Sequence, residues 1–337
     1  MRVEENYSLE HRNTFHLPVR TRWFIEYDNE EELSRIIRDD SFCKNRYLSI
    51  GEGSNILFIN DFDGIILHSC IKGFTVIEDA LNSVLLRIGA AEHWDDVVAL
   101  AVSKGWGGIE NLSQIPGDVG AAAVQNIGAY SVEIKDVIES VEAIHQVTSV
   151  KKEFTNEMCR YGYRHSYFKE NDSLIITAVC LRLQKNPLYK LDYGNLSEAL
   201  TGQKISLLSV RNAIIEMRRK KLPDPSVLGN AGSFFLNPVI PQSRFNEIKN
   251  RYATIPCYPA SEEGMVKIPA AWLIEKCGFK GKREGNVGVY DKQALIIVNH
   301  GGATGDEIVA FAEKICQIVN ETFGIKLTPE VKYITSH

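Results

Sequence analysis

The sequence has no C-x-x-C pair and no even set of cysteines. Its seven cysteines, at positions 43, 70, 159, 180, 257, 277 and 316, are scattered along 337 residues. A disulfide framework or a thiolate metal cluster needs paired spacing, so neither is expected and no metal ligand is assigned. No apolar run approaches the ~18 residues of a membrane span. The opening stretch MRVEENYSLEHRNTF lacks the apolar segment of a secretion signal, so none is expected. Strong charge of one sign is also missing. With 38 basic and 43 acidic residues the formal net charge is −5, which gives no reason to expect nucleic acid or an anionic membrane as partner. Repeats and low-complexity tracts are absent. These absences leave a soluble protein of a reducing cytoplasm as the expectation.

The composition is that of a globular chain: 44% hydrophobic and 24% charged. At this length two or three domains are expected. DNEEELSRIIRDD reads as the first helix, with Asp28 as N-cap, Glu31 completing a capping box and Leu33, Ile36 and Ile37 as its apolar stripe. RYLSI and ILFIN read as strands on either side of the tight loop GEGSN, and DGIILHS and SVLLRIGA as further strands. EHWDDVVALAVSKG has helical spacing and a stop near Gly105. Strands return in VIESVEAIHQV and SLIITAVCLRL. SLLSVRNAIIEMRRKK is a helix closed by LPDP and marks a domain boundary near 206. TGDEIVAFAEKICQIVNETFG is the last helix, with a Thr304/Glu307 capping box and Gly324 as its stop. Strand runs and separated helices together predict an α+β fold.

Five stretches invite chemistry, and each has a plainer reading. GEGSN (Gly51, Glu52, Gly53, Ser54, Asn55) is no dinucleotide fingerprint, because it lacks a third glycine and a following helix. It reads either as a hairpin turn or as a nest of N–H groups for phosphate. IPGDVGAAAVQNIGAY is either small-residue packing or a ligand surface, on which Gln125 and Asn126 meet the polar edge of a planar group. CRYGYRHSYFK is either a solvated basic edge or an anion site built on Arg160, Arg164, His165 and Lys169. In KLTPEVKYI, strand alternation sets Lys326, Thr328, Glu330 and Lys332 against Leu327, Pro329, Val331 and Tyr333. Spacing alone favours Glu330 as a solvated carboxylate. In GNAGSFFLNP, Asn230 and Gly232 make a turn and Phe234 and Phe235 enter a core. Ser233 is then either a bystander or a hydroxyl held to move a proton.

These segments occur together and in order. With NTF, LDYGNL, KLPDPSVLGNAGSFFLNP, AAWLIEKCGFKG and PEVKYI, the chain resembles the UDP-N-acetylenolpyruvoylglucosamine reductase (MurB) family of peptidoglycan synthesis over nearly its whole length. The resemblance implies a bipartite FAD-binding region of the vanillyl-alcohol oxidase (PCMH) type at about 16–185, with subdomains 1–75 and 76–205. A C-terminal α+β substrate-binding domain, 206–337, follows. It implies non-covalent FAD, NADPH as hydride donor, a UDP-sugar substrate and a monomer. The implied reaction is reduction of UDP-N-acetylglucosamine enolpyruvate to UDP-N-acetylmuramate. Carried over by motif, the catalytic positions are Arg164, Ser233 and Glu330. Cofactor positions are Gly51, Glu52, Gly53, Ser54, Asn55, Ile115, Pro116, Gly117, Gln125, Asn126, Gly128 and Ala129. Substrate positions are Tyr163, Tyr193, Lys221 and Asn237, and LDYGNL places the chain with members that have a tyrosine-bearing substrate loop.

On this reading Arg164 holds the substrate carboxylate, Glu330 assists, and Ser233 delivers a proton in a site kept dry by its neighbouring phenylalanines. The chain departs from the family pattern at Leu236, Ser131 and Thr328, where lysine, glycine and glutamate are usual. Two other functions fit less of the sequence: a flavin oxidoreductase of similar fold with another substrate, and a non-catalytic UDP-sugar-binding protein.

Overall fold

Arg2–Ser8, Arg20–Tyr27, Phe62–Ser69 and Tyr47–Ile50 lie side by side in that order as one sheet, the last two parallel. A second sheet orders Lys151–Thr155, Ile138–His145, Leu174–Gln184, Ser83–Gly89 and Phe74–Asp79, with every neighbour antiparallel. The computed structural model describes residues 1–192, 194–260 and 262–336. Its mixture of sheets and helices is α+β, as the sequence predicts.

The first helix forms over Glu30–Arg38 and buries Leu33, Ile36 and Ile37 against Ile65, Leu67, Ile144 and Ile175. Its cap falls one residue later than expected. Asn29 Oδ1, not Asp28, accepts the Glu32 N–H, and Glu32 accepts the Asp28 N–H, both at 2.9 Å. The reason is local: the Asp28 carboxylate is engaged by the Met1 amino group at 3.1 Å, which leaves the next side chain to cap.

The second sheet packs on Trp94–Ser103 and on Val119–Gln125. Val84, Leu86, Val179 and Leu181 meet Trp94, Val98, Ala122 and Ala123 in its core. Val119–Gln125 is a helix that small, aperiodic residues did not reveal. Leu174–Gln184 is central and buried along most of its length, so it shows a continuous apolar run rather than alternation.

The chain divides into two compact units. One comprises Met1–Tyr7, Thr21–Glu52 and Asp63–Lys220; the other comprises Ser8–Arg20, Gly53–Phe62 and the chain from Lys221 onward. The division therefore follows the helix Leu207–Lys221 rather than preceding it at 206. Two early segments join the C-terminal unit for visible reasons. The Phe15 ring meets Phe234 edge-on at 6.3 Å, the Asn230 N–H donates to Thr14 O at 2.9 Å, and Ile56–Phe58 pairs parallel with Lys332–Ile334.

Within that unit, Gly305–Phe323 carries the expected Thr304/Glu307 capping box and ends at Gly324 with φ 63°. No helix among the described residues is long and apolar enough to cross a membrane.

Candidate functional site

GEGSN is not a hairpin turn. The strand before it, Tyr47–Ile50, pairs with Phe62–Ser69, while the strand after it, Ile56–Phe58, pairs with Lys332–Ile334. In the first unit, Glu52 accepts the Gly117 N–H at 2.9 Å. A Cβ on Gly51 would lie 2.5 Å from Asp118 Oδ2, so a side chain there would require the Asp118 carboxylate to move. These contacts join residues 51–52 to the IPG turn, where Gly117 is buried, Ile115 half-buried and Pro116 exposed. Gly53, in the second unit, has φ 68°, and a Cβ on it would lie 2.1 Å from Arg12 O. The glycines of this loop thus allow the chain to approach itself.

From the IPG turn, Val119–Gln125 runs seven residues, about 10 Å, to the QNIGAY turn. The N–H groups of Val119 and Gly120 already donate to Glu92 O and Ala90 O, each at 2.9 Å. The chain offers two small-residue backbone turns at opposite ends of this short helix, a spacing that fits an extended dinucleotide such as FAD. The fit rests on the half-buried positions Gln125, Gly128 and Ala129.

Asn126 requires a correction. It ends the helix in the left-handed region with φ 46° and is fully buried. Its Nδ2 donates to Gly162 O at 2.7 Å and to Glu133 at 3.2 Å, and its Oδ1 accepts the Lys135 N–H at 3.2 Å. The amide is used inside the protein, so a cofactor contact at 126 is left to its backbone. Gln125 Oε1 lies 3.4 Å from Lys169 Nζ, which also donates to Arg164 O at 3.1 Å.

Tyr163 and Arg164 form the tip of a tight turn closed by reciprocal bonds between Gly162 and His165. Arg164 takes φ 54°, uncommon for a side chain of this size. Its Nη2 donates to Gly128 O at 2.6 Å and its Nη1 to Asn126 O at 3.4 Å, while the guanidinium carbon lies 5.3 Å from the Tyr163 ring centre. Three contacts thereby fix its direction. Gly128–Ala129 pairs antiparallel with Val132–Glu133. The two residues between, Tyr130 at φ 47° and Ser131 at φ 62°, make the left-handed two-residue turn that a tight hairpin favours. This explains why glycine suits position 131.

In the second unit, Gly232 takes φ 69° and donates to Asn230 Oδ1 at 2.9 Å, the turn expected from NAG. Phe234 and Phe235 are buried, whereas Ser233 is exposed. The phenylalanines therefore anchor the segment and do not cover the hydroxyl, contrary to the expectation of a dry serine. The Phe234 N–H donates to Leu295 O at 2.8 Å, the Glu330 N–H to Phe234 O at 2.8 Å, and the Leu236 N–H to Thr328 O at 2.9 Å. Phe235 and Pro329 form an antiparallel bridge. Ser233 and Glu330, far apart in sequence, are thus carried on adjacent segments. Asn55 is tied to the Glu330 segment: its Nδ2 donates to Glu330 O at 3.4 Å and its O accepts the Lys332 N–H at 3.1 Å.

Asn237 Oδ1 accepts the Ala270 N–H at 2.9 Å, which turns its NH2 away from that helix. Lys221 is exposed at the end of Leu207–Lys221, and Ser54 is half-buried. Tyr193 lies outside the described residues.

Arg218 was missed. Its Nε is buried with no hydrogen-bond partner among the described residues. Burial pulls the guanidinium below its ordinary pKa against the opposing pull of Tyr130 and Asp95. Helical spacing signals the position, four residues beyond buried Ile214.

Two family models match the chain: "FAD binding domain" over residues 22–150 and "UDP-N-acetylenolpyruvoylglucosamine reductase, C-terminal domain" over residues 224–334. UDP-N-acetylenolpyruvoylglucosamine reductase of Porphyromonas gingivalis is 49% identical over 99% of this chain and 100% of its own. The protein of that name from Bacteroides fragilis is 44% identical over 98% of this chain and 100% of its own. Among solved structures, UDP-N-acetylenolpyruvylglucosamine reductase (MurB) from Thermus caldophilus superposes with a TM-score of 0.71 at 23% identity, covering 99% of each chain.

Proposed function

The chain belongs to the UDP-N-acetylenolpyruvoylglucosamine reductase family, and on that premise we propose how its own residues carry the reaction. It is an FAD-dependent oxidoreductase that reduces UDP-N-acetylglucosamine enolpyruvate to UDP-N-acetylmuramate in peptidoglycan precursor synthesis. Bound FAD supplies the two-electron carrier between the hydride donor, proposed to be NADPH, and the enolpyruvyl double bond.

Gly51, Glu52, Gly53, Ser54 and Asn55 would hold the cofactor's pyrophosphate, and Ile115, Pro116, Gly117, Gln125, Gly128, Ala129 and the Asn126 backbone would line its ring. Arg164, fixed by two carbonyls, receives the substrate carboxylate in its planar fork and stabilises the charge that develops when hydride is added. Ser233 delivers the proton to the carbon next to that carboxylate. Because its hydroxyl is exposed, the water-poor surroundings that a weak acid needs come from bound substrate. Glu330, held beside the serine segment, balances charge as the proton moves. Tyr163, Tyr193, Lys221 and the outward NH2 of Asn237 bind the UDP-sugar.

The observation that carries this reading is the pairing of the Ser233 segment with the Glu330 segment, which places an exposed hydroxyl on a rigid support. We further propose a cytoplasmic monomer. The test is an anaerobic absorbance titration of the purified protein. Flavin bands should bleach with NADPH and return with UDP-N-acetylglucosamine enolpyruvate. Bands that bleach and do not return would overturn the substrate assignment, and a protein that takes up no FAD would overturn the whole reading.

A further inference from the structure

The first sheet carries a cluster that the reductase chemistry does not use. Glu26 lies on Arg20–Tyr27; His68 lies on the neighbouring strand Phe62–Ser69, and Cys70 follows it directly. His68 and Cys70 are two residues apart, so strand alternation sends both to one face. The Cys70 N–H donates to Tyr27 O at 2.8 Å, which holds the cysteine level with the end of the glutamate's strand. One ligand atom from each of the three side chains lies within 4.8 Å of the other two, and all three residues are half-buried.

We propose that Glu26, His68 and Cys70 form a zinc site. A thiolate, an imidazole and a carboxylate are the donor set of Zn2+ and not of Mg2+ or Ca2+, which take oxygen ligands. Tetrahedral zinc with ordinary bond lengths sets its ligand atoms about 3.3–3.6 Å apart. Side-chain rotation closes the remaining gap of roughly 1 Å, since Glu26 and His68 sit on strand backbone and the Cys70 backbone is held by Tyr27 O. The outer surroundings match as well. His68 Nδ1 lies 3.3 Å from Ile50 O, a backbone contact of the kind that orients a ligating imidazole. The ring also stacks on Phe24 at 5.9 Å, which restricts its orientation. Arg2 Nη1 donates to Glu26 Oε2 at 3.0 Å, which orients that carboxylate. Three protein ligands leave a fourth position for water. No sequence motif announces the site, because its glutamate comes from another strand and its cysteine has no partner cysteine nearby.

The test uses the intact flavoprotein, freed of metal by chelator and dialysis and then titrated with Zn2+ or Co2+. The wild type should bind one equivalent. With Co2+ it should develop thiolate charge-transfer absorption and d–d bands to the red of the flavin. Cys70→Ser and His68→Gln should each weaken binding at least 10-fold while retaining the flavin, and Glu26→Gln should weaken it less. Exposed Cys43 and Cys257 are the controls, and a Cys43→Ser/Cys257→Ser double variant should bind as the wild type does. A wild type that takes up no stoichiometric metal overturns the proposal. So does a Cys70→Ser protein that titrates unchanged, or loss of binding in the double variant.

Discussion

The guanidinium of Arg164 donates to the carbonyl of Gly128 at 2.6 Å, and the residue that makes this geometry possible is Asn126. Its amide ties Gly162, at the base of the arginine turn, to the backbone of Lys135. Asn126→Ala should remove three part-buried hydrogen bonds, to Gly162, Glu133 and Lys135, and place alanine at φ 46°. A loss of about 2–4 kcal/mol is expected. Asn126→Gly makes the same deletions and tolerates the left-handed backbone, so it should be less destabilised by about 1 kcal/mol. Urea unfolding of both variants measures the difference. In the folded fraction, reduction of the enolpyruvyl substrate should slow more than reduction of the flavin, because Arg164 is proposed to act only in the former.

Ser233→Ala separates the proton step from everything else. The side chain is exposed, so stability should stay within about 0.5 kcal/mol of wild type. Bleaching of the flavin by NADPH should proceed at the normal rate. Reoxidation by the UDP-sugar should fall by about 10²–10⁴-fold, the range of general acid catalysis. Stopped-flow absorbance reads both steps, and an unchanged reoxidation rate would remove Ser233 from the mechanism.

Much of this arrangement is legible in the sequence, and the parts that are not have physical causes. Local signals served best: the Thr304/Glu307 box, the Gly324 stop and the Asn230–Gly232 turn each depend on a few adjacent residues. Val119–Gln125 stayed hidden because glycine and alanine give no apolar period, and Arg2–Ser8 because its exposed residues do not alternate. The division of the chain was illegible for another reason. Residues 8–20 and 53–62 belong with the C-terminal unit through pairing with Asn230 and Lys332–Ile334, contacts that no local pattern announces. At the site, residue types and spacing placed Phe234 and Phe235 in a core, and the family resemblance rather than spacing named Ser233 and Glu330; neither could tell that Ser233 is exposed, or that the Asn126 amide is consumed internally. Those facts depend on which of several compatible partners the fold supplies.

The acid limb of stability should depend on Glu142. Arg87 donates to its carboxylate through Nε at 2.8 Å and Nη2 at 2.6 Å, and Lys151 approaches at 2.7 Å. The hydrogen bonds from Arg87, aided by Lys151 and opposed by burial, hold the Glu142 carboxyl down to about 2. A folded-state pKa below the unfolded one contributes stability that is complete above the unfolded value and is lost as pH falls through the folded value. The window therefore runs from about pH 4.5 down to about 2. Glu142→Gln should flatten the pH dependence across that window. At neutral pH it should cost on the order of 1–2 kcal/mol, after allowance for solvent screening of a partly exposed pair. Urea midpoints at a series of pH values test it, and an unchanged acid slope would assign the acid sensitivity to other carboxylates.

Ser131 offers the opposite outcome, a substitution that stabilises. It sits at φ 62° beside Tyr130 at φ 47°, in the turn that joins Gly128–Ala129 to Val132–Glu133. A side chain in the left-handed region costs roughly 1–2 kcal/mol, whereas glycine occupies it without penalty. Glycine also enlarges the freedom of the unfolded chain, which returns roughly 0.5–1 kcal/mol of that advantage. Ser131→Gly should therefore gain about 0.5–1 kcal/mol, read as a higher urea midpoint with an unchanged m-value. Tyr130→Gly should not, because its ring packs against the cluster of Leu196, Val210 and Ile214 and would be lost. The hairpin supplies the Gly128 carbonyl that holds Arg164, so relief at 131 should leave KM for the UDP-sugar unaltered. A Ser131→Gly protein that is less stable than wild type would mean that the serine hydroxyl contributes more than the backbone strain costs.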